Sequence, residues 1–138
     1  MMLGKFEEIC YCEESHEYLV IDSPSNVLRY SVQGKPIQPS YVLSATMLFT
    51  KLLWCHGAKV LIGYVPNDDM IWLMTSFCML YQAIRNEFRI SNIFYEPSTN
   101  EAIVAGPNKV TVKLFGRKIS SSSLTNISTH IFSRDFHW

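Results

Sequence analysis

Two long runs of this sequence are apolar on every side, and whatever covers them decides the fold. Residues 41–56 hold Lys51 as their only charge, and residues 70–84 form an uncharged stretch of 15 residues. Read with helical spacing, Tyr41, Ala45, Leu48, Phe49, Leu52 and Leu53 make one stripe of a first helix over 41–56, and Gly57 ends it as a cap. Leu43, Met47 and Trp54 then fall on another side. A second helix over 70–88 carries Met70, Leu73, Met74, Phe77, Ile84 and Phe88 on its stripe, with Asp68 and Asp69 at its positive end. Ile71, Cys78, Met79 and Tyr81 occupy much of its remainder, and Thr75, Gln82 and Arg85 are its polar relief.

Turn chemistry places strands around these helices. Residues 6–13, 17–22 and 27–32 read as an antiparallel meander, broken at Glu14-Ser15-His16 and at Ser23-Pro24-Ser25-Asn26. Residues 60–65 make a short apolar strand and residues 89–95 another. Residues 101–105 and 109–115 make a hairpin through Gly106-Pro107-Asn108. The fold class expected is α+β: a mixed sheet in the order βββ-α-β-α-βββ with two apolar helices packed on it. No internal repeat is apparent. The meander followed by α-β-α resembles the ribonuclease H-like topology, and the terminal hairpin departs from it. The expected organisation is one α/β domain over residues 1–118. A Ser-rich joint and an aromatic tail follow over residues 119–138, and the tail docks because exposed aromatics are costly.

The composition is lean in charge, at 17% against 48% apolar residues, where soluble domains average about 25% charged. Net charge is zero, but residues 1–22 carry six acids and one base, and residues 106–138 carry five bases and one acid. Four cysteines without a secretory leader point to reduced thiols and an intracellular setting, cytoplasmic or nuclear. A helix needs about 20 apolar residues to cross a bilayer, so the 15-residue stretch argues against a membrane span.

The functional expectation follows from the surplus apolar area. Two helices of this kind carry more than one sheet face can cover, so the chain reads as a non-enzymatic assembly or adaptor domain. Its partner is a copy of itself, as a homodimer, or another protein. The interface would be built from Leu43, Met47, Trp54, Ile71 and Met79, with Phe132, Phe136 and Trp138 of the tail. Burying four such side chains supplies about 6–12 kcal/mol, above association costs of several kcal/mol.

Two other classes compete. The alternating strand from residue 109 sets Lys109, Lys113, Phe115 and Arg117 on one side, followed by Lys118. Charge for phosphates around an aromatic for bases is what an RNA or single-stranded DNA platform needs. Asp22, Asp68 and Asp69 close predicted strands, where a metal-dependent nuclease of ribonuclease H-like layout would gather its acids. The first helix supplies no acid, however. Cys10, Cys12 and His16, with Cys55 or His56, hold zinc-ligand types, but a one-residue gap between the cysteines is shorter than zinc sites favour. No nucleophile motif and no glycine-rich phosphate loop is present. The sequence therefore assigns no catalytic residue, no metal and no cofactor.

Overall fold

The computed structural model describes residues 9–23, 26–44 and 46–114, and it is built from strands. The chain forms β1 (Ile9–Cys12), β2 (Glu17–Ser23), β3 (Asn26–Ser31), β4 (Pro36–Val42), β5 (Lys51–Cys55), β6 (Val60–Tyr64), β7 (Met70–Met74), β8 (Leu80–Arg85), β9 (Asn92–Glu96), β10 (Glu101–Ala105) and β11 (Val110–Leu114). These make three antiparallel meanders: β1-β2-β3-β4, then β5-β6-β7-β8, then β9-β10-β11. The α+β expectation is therefore corrected to all-β, with no helix among the described residues. The ribonuclease H-like likeness falls with it. No described helix is long and apolar enough to cross a membrane.

Neither expected helix forms: residues 70–88 fold as the hairpin β7–β8, and residues 41–56 span two different sheets. Residues 70–88 bend back at Thr75, whose Oγ1 accepts from the backbone N–H of Phe77 (3.0 Å) and of Met79 (3.2 Å). Residues 41–56 contain the end of β4, a connector and β5. Pro39-Ser40, which resembles a helix start, lies in β4, the outermost strand of its sheet, where a missing N–H costs no ladder bond.

Helical spacing misled because the second sheet is covered on both faces. One face brings Trp54, Leu61 and Met74 against Cys10, Cys12, Leu19 and Val27 of the first sheet. The other brings Cys55, Val60, Ile62, Ile71 and Leu73 against Ile93, Ala102 and Val104 of the third. Every residue of β6 is buried. A strand covered twice has no polar side, so its period of two disappears from the sequence.

A repeat organises the stack, contrary to the expectation of none. Each meander opens with a four-residue hairpin loop whose last residue is left-handed: His16 (φ 56°), Lys59 (φ 56°) and Asn100 (φ 58°), spaced 43 and 41 residues apart. The third hairpin repeats in the same way. Ser31 Oγ accepts from the N–H of Gln33 and Lys35, as Thr75 does 44 residues later. Gly34 and Cys78 are the left-handed residues of those two turns. The connectors repeat as well: Thr50 N–H donates to Tyr64 O, and 41 residues on Ser91 N–H donates to Ala105 O. β1 lies against β5, and β5 against β9. Successive meanders joined at their first strands, with a period of 41–43 residues, follow the layout of blades in a β-propeller.

The connectors also act as plugs between sheets. Phe49 and Ile90 occupy the same place in consecutive repeats, and both are fully buried. Phe49 lies so close to Gly63 that a Cβ there would sit 2.7 Å from two of its ring carbons.

Candidate functional site

The penultimate residues of β1, β5 and β9 are Tyr11, Trp54 and Tyr95, which are equivalent in the repeat. The first strands are neighbours, so these aromatics come together at the end of the stack where the first hairpin loops emerge. A cavity of about 490 Å³ opens there, lined by Tyr11, Glu13, Trp54, His56, Gly57, Tyr95 and Pro97.

Polar contacts tie the three loops around it. Trp54 Nε1–H donates to His56 Nδ1 at 3.2 Å, and Glu13 Oε1 lies 3.4 Å from the same nitrogen. That nitrogen serves one partner at a time: bare Nδ1 accepts from the indole, whereas Nδ1–H donates to the carboxylate. Lys59 Nζ and Glu14 Oε1 are 3.3 Å apart. Gly57 N–H donates to the Tyr95 hydroxyl at 2.9 Å, and that hydroxyl donates to Asn100 Oδ1 at 2.6 Å. Burial foremost holds the Tyr95 phenol above its ordinary range, so it stays a donor. A Cβ at Gly57 would lie 2.6 Å from the Tyr95 oxygen, so this close approach requires glycine. The result is a fixed aromatic wall with a carboxylate and an imidazole at its rim. Such a surface offers aromatic area for packing and polar groups for hydrogen bonding.

The residues expected from sequence are dispersed. Leu43, Met47, Trp54 and Ile71 are buried within the chain, between its own sheets. Met79 is 63% exposed in the β7–β8 turn, next to exposed Phe77. Phe132, Phe136 and Trp138 lie outside the described residues, as do Phe115, Arg117 and Lys118. Lys109 is exposed, with Nζ 6.0 Å from the centre of the Phe88 ring. Lys113 and buried Thr111 share the face of the third sheet that packs on the second, since they pair with Ala102 and Val104. Burial lowers the Lys113 pKa, against the opposing attraction of Glu87. That side of β11 is thus the inner one.

Asp22 is exposed in the first sheet, whereas Asp68 and Asp69 lie in the β6–β7 turn of the second. Asp68 Oδ1 accepts from Asp69 N–H at 2.7 Å, and both Asp69 oxygens accept from Arg85 Nη1 at 3.0 Å. Cys10 and Cys12 face the interior between sheets, whereas His16 is an exposed hairpin residue. Among the described residues no three His, Cys, Asp or Glu side chains could hold a metal ion.

Of the cavity's lining, Trp54 was singled out from sequence, but Tyr11, Glu13, Tyr95 and Pro97 were not. The signal that finds them is the recurrence of an aromatic five residues before each left-handed hairpin residue: Tyr11 before His16, Trp54 before Lys59, Tyr95 before Asn100. No family model matches the chain, and no curated protein matches its sequence.

Proposed function

We propose that this chain is a non-enzymatic protein-interaction domain that reads a segment of a partner polypeptide in the cavity at the Tyr11–Trp54–Tyr95 end of the stack. The observation that carries this reading is the convergence of three repeat-equivalent aromatics on one cavity whose rim is polar. Tyrosine and tryptophan supply large contact area at small conformational cost and dominate interface energetics. The hydrogen bonds among the loops hold the wall in place before a partner arrives, which lowers the entropy lost on binding.

Selection of a displayed random peptide library on the immobilised chain tests the reading. The expected result is an enriched sequence whose affinity falls about 30-fold in Tyr11→Ala, as a central aromatic contact worth about 2 kcal/mol implies. Glu13→Ala should weaken it as well, and Met79→Glu should leave it unchanged. A library that enriches nothing, or only sequences indifferent to Tyr11 and Glu13, overturns the proposal.

A further inference from the structure

The aromatic rings of the cavity have their polar atoms engaged within the protein. Trp54 Nε1–H donates to His56 Nδ1. The Tyr95 hydroxyl accepts from Gly57 N–H and donates to Asn100 Oδ1. The Tyr11 hydroxyl lies 3.5 Å from His16 Nδ1. What Tyr11, Trp54 and Tyr95 still offer a ligand is ring surface. Tyr11 is 37% exposed and Trp54 is 7% exposed, so that surface runs inward from the mouth of the cavity. The faces of an aromatic ring are negative, and they favour apolar groups and cations over anions.

Charge at the mouth decides between those two. The loops and strand ends that frame the cavity carry Glu13, Glu14, Glu96 and Glu101, whereas Glu17 is buried against Arg29. Lys59 is the basic residue of these loops, and it is paired with Glu14. Glu96 and Glu101 accept from the neutral groups of Ser98 and Thr99. Glu13 lines the cavity itself, with its side chain 52% exposed. While His56 Nδ1 accepts from the indole, no other donor among the described residues holds Glu13. A carboxylate without a fixed cation therefore stands beside the aromatic wall.

The cation that fits asks for few hydrogen bonds. A lysine ammonium or an arginine guanidinium is all donor and no acceptor, and the bare ammonium is strongly hydrated. Inside the cavity either would meet one carboxylate and rings whose polar atoms are already taken. Methylation of lysine keeps the charge, removes the donors and puts apolar surface in their place. We propose that the cavity takes a trimethylated lysine side chain, with Tyr11, Trp54 and Tyr95 around the methylammonium group and Glu13 supplying the opposite charge. This rests on the peptide-reading function above and names the side chain that such a segment presents.

Synthetic pools of random peptides test it. They differ only at a fixed central position, which is lysine, trimethyllysine, arginine or the uncharged analogue of trimethyllysine with carbon in place of nitrogen. Binding to the full chain is read by fluorescence anisotropy. The trimethyllysine pool should bind about tenfold more tightly than the neutral analogue, the scale of a desolvated cation–π contact. It should also exceed the lysine and arginine pools. Tyr11→Leu keeps apolar area without the ring, and Glu13→Gln keeps shape without the charge. Each alters an exposed side chain, so the far-ultraviolet spectrum should not change. Each should cut the preference over the neutral analogue to about threefold or less. Choline carries the same trimethylammonium group without a peptide and should compete only weakly.

Equal binding of the charged and neutral pools, or a preference for lysine or arginine, overturns this inference and leaves the peptide-reading function standing. A trimethyllysine preference indifferent to both substitutions overturns it by placing the cation elsewhere. Competition by choline as effective as that of the peptides overturns it in favour of a small-molecule ligand. Silence from every pool also overturns it. The display selection, which draws on unmodified peptides, then decides the peptide-reading function by itself.

Discussion

The fit between Phe49 and Gly63 gives the sharpest test of the repeat. Gly63 lies within β6, covered on both sides, and its equivalents in the other sheets are Val20 and Val104. The plug that meets the third sheet is Ile90, a smaller residue than Phe49. A Cβ at position 63 would lie 2.7 Å from Cγ and Cδ2 of Phe49 and 3.0 Å from Cε2. Ordinary carbon contacts begin near about 3.5 Å, so the ring or the strand must retreat by roughly 0.8 Å by that comparison. Neither has open space. Gly63→Val is therefore expected to cost about 3 kcal/mol, the upper part of the overpacking range. Phe49→Ile leaves a partial void and should cost about 2 kcal/mol, below the 3–5 kcal/mol of full truncation to alanine. The double variant rebuilds the Ile–Val pairing of the next interface. It should recover to about 2 kcal/mol below the parent in place of the additive loss, a coupling of about 3 kcal/mol, at the top of the range that touching residues show. Urea unfolding of the four proteins, with the slope checked for constancy, measures this cycle. Additive losses in the double variant would refute the equivalence of the two plugs.

Two further perturbations follow from buried polar groups. Glu17 accepts from Arg29 Nε at 3.0 Å and Nη2 at 2.7 Å in the first interface, with Arg29 stacked 4.6 Å from the Tyr41 ring centre. Glu17→Ala leaves the guanidinium only the Pro39 carbonyl and the Tyr41 ring and should cost about 1–3 kcal/mol, or a Tm loss of about 3–9 °C for this chain length. Glu17→Val with Arg29→Leu copies Val60 and Leu73 of the second sheet and should restore the Tm in a calorimetric scan. The thiols of Cys10 and Cys78 are pushed up to about 12, chiefly by burial, and Cys55 is raised further by the same cause. Because folding raises these values, their contribution to stability is complete below the ordinary thiol range. It falls as pH climbs from about 9 toward 12, by up to about 1.4 kcal/mol per pH unit for each thiol. Urea midpoints taken between pH 7 and 11 should be flat at first and then drop. A midpoint that rises above pH 9 contradicts the sign.

The strands that sequence located were those with chemistry at their ends. The hairpin from Glu101 to Leu114 was legible because Gly106-Pro107-Asn108 marks its turn, and the first meander because Glu14-Ser15-His16 breaks it. β7 and β8 were not legible, since their turn is written in Thr75-Ser76-Phe77-Cys78, with a cysteine at the left-handed position where Gly34 serves the equivalent turn. A hydroxyl accepting two backbone N–H groups does the work there that glycine signals elsewhere. The apolar excess that suggested a missing partner has a first explanation inside the chain. Leu43, Met47, Trp54 and Ile71 are covered by neighbouring sheets, which a reading of one helix on one sheet could not supply. Among the described strands, β5, β6 and β7 of the second sheet are covered on both faces. Among the described residues, the apolar surface that remains is spread over turns and outer strands, at Val42, Leu48, Phe77, Met79, Leu80 and Phe94. The cavity aromatics are hidden for a related reason. Tyr11, Trp54 and Tyr95 are unremarkable as single residues, and only the period of the backbone, visible in its left-handed positions, shows that they share a place.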